Sequence, residues 1–126
     1  MQVAKIIDAP LETVWQILVD TRLWPLWGSS IIAVDCPQRW IAQGVEGWVK
    51  TALRIWLPFK ISSFDAPLCW NWDVAGIPAT GHRLQRLGAD RCELIFEVPY
   101  GIFFYAAICR RAMENIARLA RERNQA

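Results

Sequence analysis

The chain lacks most of what simple function classes require. It has one histidine, His82, in 126 residues, so a metal centre would have to complete its ligand set with carboxylates or thiolates. Its four cysteines, Cys36, Cys69, Cys92 and Cys109, are scattered, with no pair at zinc-site or redox spacing. Long apolar runs are missing too. The charge-free stretch 98–109 is well short of the roughly 20 residues a membrane span needs, and it contains Pro99 and Gly101. No excess of one charge exists, with 14 Lys and Arg against 12 Asp and Glu, so a polyanion such as nucleic acid is not an expected partner. Repeats, low-complexity segments and linkers are absent. So are a Ser-His-Asp order, a phosphate-binding glycine loop and paired carboxylates. The first ten residues show no apolar signal region, and with unpaired cysteines this leads us to expect a cytoplasmic protein with reduced thiols.

What the chain does have is apolar bulk. A hydrophobic fraction of 54% with a net charge of +2 excludes disorder, and the length suits one domain, 1–126, with a single core. Tryptophan is the outlier, at eight residues.

Residues 2–8 read as a strand. A helix is expected to start at Asp8-Ala9-Pro10-Leu11-Glu12, where proline suits the first turn and Glu12 complements the helix dipole. Leu11, Val14, Trp15 and Leu18 recur at helical spacing. Residues 20–28 form a second short helical segment, with Pro25 inside and Gly28 at its end. Asp20 is expected to cap it. Period-two patterning then predicts strands near 30–36, 46–57, 59–65, 68–74, 80–87 and 91–98. Within them Leu68, Trp70 and Trp72 share a face, as do His82, Leu84 and Arg86, and Cys92, Leu94, Phe96 and Val98. Residues 101–123 form the longest helix, with Phe104, Ile108, Ala112, Ile116 and Leu119 on one stripe and five arginines elsewhere, a solvated face. The expected fold is α+β: a curved antiparallel sheet of six to seven strands wrapped around a long C-terminal helix, which covers the sheet's apolar face.

The opening Ile7-Asp8-Ala9-Pro10-Leu11-Glu12-Thr13-Val14-Trp15, then Asp20 and Trp24-Pro25-Leu26-Trp27, resembles the start of the START-like (SRPBCC) superfamily. That superfamily includes polyketide cyclase/dehydrase-like and Bet v 1-like helix-grip proteins. Phe64-Asp65-Ala66-Pro67 with Trp70 and Trp72, then Gly81-His82, resembles its middle strands. The resemblance implies a helix-grip fold with a cavity between sheet and helix for an apolar small molecule: a lipid, sterol, polyketide, isoprenoid or quinone. It fixes no single reaction, since some members catalyse cyclisation or dehydration and others only carry a ligand. No cofactor is expected, and with one histidine and no ligand spacing no metal is expected either.

Residues expected at such a cavity are Trp70, Trp72, His82, Leu84, Leu94, Phe96, Phe104 and Ile108, with Tyr105 offering a hydroxyl. Trp70 and Trp72 would either wall the cavity or fill it. His82 is read as a core or rim residue, as a polar anchor for a ligand, or as the acid/base of a cyclase/dehydratase-type enzyme. Arg86 shares its parity and either reaches the cavity or snorkels to water. Trp15, Trp24 and Trp27 are read as packing between the short helices and the sheet. A third possibility is an interaction protein, docking on a membrane or partner through 53–59 and Ile102, Phe103 and Phe104. The stretch Leu53 to Phe59 offers only Pro58 as a turn signal, so it is either one long strand buried against its neighbour or a hairpin with an apolar tip. Monomer and homodimer are both left open.

Overall fold

A computed structural model describes residues 1–99 and 105–125. In order, the elements are β1 (Gln2–Ile7), α1 (Leu11–Val19), α2 (Trp24–Trp27), β2 (Ile31–Asp35), β3 (Glu46–Thr51), β4 (Trp56–Asp65), β5 (Cys69–Val74), β6 (Ile77–Pro78), β7 (Gly81–Gly88), β8 (Arg91–Glu97) and α3 (Tyr105–Gln125). The strands form one eight-stranded antiparallel sheet in the order β1-β8-β7-β5-β4-β3-β2, with β6 hanging on β5. All three helices pack on the apolar face, giving the expected α+β, helix-grip-like architecture.

Local chemistry explains the helices. Pro10 precedes α1, Glu12 sits in its first turn, and Leu11, Val14, Trp15 and Leu18 form its buried face. α2 is a single turn with Pro25 near its start and ends where the Gly28 N–H donates to the Trp24 carbonyl at 2.8 Å.

Three boundaries differ from the sequence pattern. The strand read as 46–57 is two strands joined by a turn at 52–55. Arg54 makes that turn, taking a φ of +64°, a conformation that glycine or asparagine usually signals, so the turn is hidden in the sequence. The resulting tip is apolar and open to water, with Leu53 82% exposed, so of the two expected arrangements the hairpin with an apolar tip holds and the buried long strand does not. β5 and β6 are joined by Ala75 and Gly76, both at positive φ, the pattern of a type I′ turn, one residue earlier than the glycine and proline suggest. In α3 the buried stripe is Ala106, Cys109, Ala112, Met113, Ile116, Ala117 and Ala120, rotated from the expected one, which leaves Ile108 and Leu119 half-buried. Four alanines on that stripe let the helix lie close to the sheet. Phe104 and the 101–104 start of the expected helix, with Ile102 and Phe103, lie outside the described residues.

Candidate functional site

Under the start of α3, the concave face of the sheet carries an aromatic cluster. Trp70 on β5 is sandwiched between Trp24 of α2 (ring centroids 5.6 Å, interplanar 10°) and His82 of β7 (3.8 Å, 18°). The pairing of Trp70 with His82 across β5 and β7 makes that stack. Trp72 meets Trp24 edge-on at 5.4 Å, and Phe96 of β8 meets His82 edge-on at 4.9 Å. Offset and edge-to-face geometries of this kind are the favoured ones.

A cleft opens beside the cluster. Its walls are Trp24, Trp27, Trp70, Trp72, His82 and Phe96 from below, and Tyr105, Ile108, Cys109 and Ala112 from α3. Gly28, Ser29, Ser30, Ile31 and Thr80 complete the lining. The enclosed volume is only about 40 Å³. That admits a water or one functional group, but not a ring system. Of the two expected roles for Trp70 and Trp72, filling the space therefore dominates, since they are 1% and 8% exposed. A much wider depression, about 560 Å³, is on the outer side of the sheet, among Asp35, Glu46, Trp48, Pro58, Lys60 and Asp73, away from this cluster.

Polar groups in the cluster divide sharply. The Trp24 indole N–H donates to the Leu18 carbonyl at 2.9 Å, and that of Trp27 to the Ile17 carbonyl at 3.3 Å. Both acceptors are in the last turn of α1, where carbonyls have no intrahelical partner, so the α2 tryptophans cap α1. The Trp70 and Trp72 indole N–H groups and Nδ1 of His82 are buried without a partner among the described residues. Native interiors pair nearly all such groups, and an orphan costs about 1–3 kcal/mol. Burial pushes the His82 imidazole well down, to about 3, and the Trp70 carbonyl draws it back only in part, so the ring is neutral at physiological pH.

The expected site residues thus separate. Trp70, Trp72, His82, Phe96, Tyr105 and Ile108 converge on the cleft. Leu84 and Leu94 are fully buried core residues outside its lining. Arg86 does not reach the cleft: at the exposed end of β7 it pairs with Glu12 of α1, which holds that carboxyl below its usual range. Asp20 does not cap α2. Its buried carboxylate accepts from the Arg22 N–H and from Arg39 at 3.0–3.3 Å, fastening the β2–β3 connection to the α1–α2 corner. Missed from the sequence were the serines at the mouth and Cys109, which carry no pattern of their own. Among the described residues no group of three or more potential metal ligands exists. No helix there is long and apolar enough to cross a membrane.

No family model and no curated protein matches the chain. Solved structures do. The hypothetical protein jhp0584 of Helicobacter pylori superposes with a TM-score of 0.76 at 8% identity, covering 94% of this chain and 86% of that one. XoxI of Bacillus cereus gives 0.73 at 10% identity, covering 95% and 94%. The di-domain ARO/CYC StfQ of the steffimycin biosynthetic pathway gives 0.77 at 13% identity, covering 99% of this chain and 46% of that one. At these identities the likeness is one of fold: the chain has the architecture of these proteins, and spans about half of the di-domain one.

Proposed function

We propose that the protein binds a small, flat, largely apolar molecule carrying a carbonyl or hydroxyl oxygen, in the cleft between the sheet and the start of α3. The observation that carries this reading is the set of orphaned polar groups. Three buried nitrogens without partners all belong to side chains of one cleft, in a core where the neighbouring indoles are paired. Indole N–H groups only donate, so the ligand must bring an acceptor. The void takes the acceptor, and the ring body lies in the mouth against Trp27, Tyr105 and Ile108, which must shift to admit it.

Among the ligand classes that the START-like resemblance allows, polyketides and quinones carry such oxygens on flat skeletons. A plain acyl or isoprenoid chain carries none along its length. The shared fold with an ARO/CYC protein supports the same choice. His82 serves as an acceptor for a ligand hydroxyl rather than as acid/base: its other nitrogen faces the Trp70 carbonyl, so Nδ1 of the neutral ring can only accept, and a group titrating near 3 is poorly matched to proton transfer at neutral pH. A cyclase/dehydratase role would then rest on positioning alone.

Isothermal titration with 1-tetralone, an inert bicyclic ketone, tests the reading. Saturable binding is expected, weakened in Trp72→Phe, which keeps an aromatic ring but loses the donor. Absence of binding up to the solubility limit, or equal affinity in the variant, would overturn it.

A further inference from the structure

The β3–β4 hairpin end of the molecule has chemistry unlike the rest of the surface. Leu53 at its tip is 82% exposed, Ile55 follows at 53%, and Ile77 of the neighbouring β5–β6 hairpin is 68% exposed. Trp48 and Trp56 stand beside them on the outer face, each nearly half exposed. The three segments that build this end, 28–32, 48–58 and 74–80, contain no Asp or Glu, and their charges are the cations Lys50 and Arg54. The Lys50 ammonium lies 5.9 Å from the Trp56 ring, a cation held over an exposed aromatic. Arg54 occupies its left-handed turn position where glycine would sit without strain, so turn formation does not explain the residue.

From this we infer that the hairpin docks the protein on an anionic lipid surface, with Leu53 and Ile55 entering the headgroup boundary, Trp56 lying at its level, and Lys50 and Arg54 facing lipid phosphates. Amphipathic indoles prefer that depth, and each cation near an anionic leaflet strengthens attachment. Charge complementarity at the tip favours this occupant over a protein partner: Lys50 and Arg54 make no ion pair among the described residues, and the acids of the outer face, Asp35, Glu46 and Asp73, lie further along the strands, beside Trp48. The inference stands apart from the cleft reading but meets it in space. The Ala52 N–H donates to the Ser30 carbonyl at 3.0 Å, and Ser29, Ser30 and Ile31 line the cleft mouth, so docking would bring that mouth to the membrane.

Co-sedimentation of the full chain with vesicles tests it, comparing pure phosphatidylcholine with an equal mixture of phosphatidylcholine and phosphatidylglycerol. Binding to the anionic vesicles, little binding to the neutral ones, and release by high salt are expected. Arg54→Glu should weaken attachment roughly tenfold or more, and Leu53→Asp should abolish it. Both positions are exposed, and unchanged circular dichroism confirms that the variants fold. Equal binding to both vesicle types, or none, would overturn the inference. So would a dimer in solution that Leu53→Asp dissociates, because a second copy would then cover the face.

Discussion

Five tryptophans are buried in this core, and the four beside the cleft form two unlike pairs. Trp24 and Trp27, from α2, pack their rings on the sheet and spend their N–H groups on the free carbonyls of α1. Trp70 and Trp72, from β5, are as deeply buried yet leave theirs unpaired. Burial alone therefore does not separate structural from functional aromatics here. The hydrogen-bond ledger does: the α2 pair is complete within the fold, whereas the β5 pair is complete only when something else supplies an acceptor oxygen. A water in the 40 Å³ void meets part of that need, and a ligand oxygen that displaces it meets the same need with an apolar body attached.

Removing a ring from the completed pair should have the largest effect. Trp24→Ala is expected to cost about 3–5 kcal/mol in chemical denaturation, since it empties the centre of the aromatic cluster and strands the Leu18 carbonyl. Trp48→Ala, on the wet face, should stay within about 0.5 kcal/mol.

The next effect is one of pH. Native His82 titrates near 3, and the unfolded chain should titrate near 6.5. Between those values the unfolded state binds the extra proton, so stability falls as pH drops below about 6.5, by up to about 1.4 kcal/mol per pH unit from this group. His82→Phe should flatten that slope relative to wild type across the same window. Parallel slopes would mean that the ring is solvated rather than buried.

A finer comparison isolates the N–H groups. Trp24→Phe breaks a made hydrogen bond, whereas Trp72→Phe removes a donor that has none, so the first should cost about 1–2 kcal/mol more. Equal costs would erase the distinction between the pairs. The smallest effect is expected at Arg86→Ala. Its partner Glu12 is on the surface, so both the midpoint of unfolding and ketone affinity should be unchanged, and a loss of affinity would return Arg86 to the site.

The fold and part of the site were legible from the sequence for specific reasons. Period-two parity carried Trp70, Trp72, His82 and Phe96 to one face because Trp70, His82 and Phe96 are direct cross-strand neighbours on β5, β7 and β8, and Trp72 follows Trp70 two residues along β5. The same parity left two readings for Arg86, and the exposed one holds, because parity fixes a face but not a position along it, and the end of β7 outruns the core. The β3–β4 turn was unreadable because an arginine holds a glycine's conformation. The expected cavity failed on volume: the alanine-rich stripe of α3 brings the helix down onto the rings, and neither periodicity nor composition measures that gap. Whether each indole finds a carbonyl was also invisible, since it depends on where α1 ends relative to α2.

The most direct test of the difference between the two pairs is the indole region of a ¹H–¹⁵N correlation spectrum during titration with 1-tetralone, with resonances assigned by single Trp→Phe variants. The Trp70 and Trp72 N–H signals should move downfield as they gain an acceptor, while those of Trp24 and Trp27 hold still. Uniform movement of all four, or none at saturating ketone, would contradict the assignment of the β5 pair as the open half of the site.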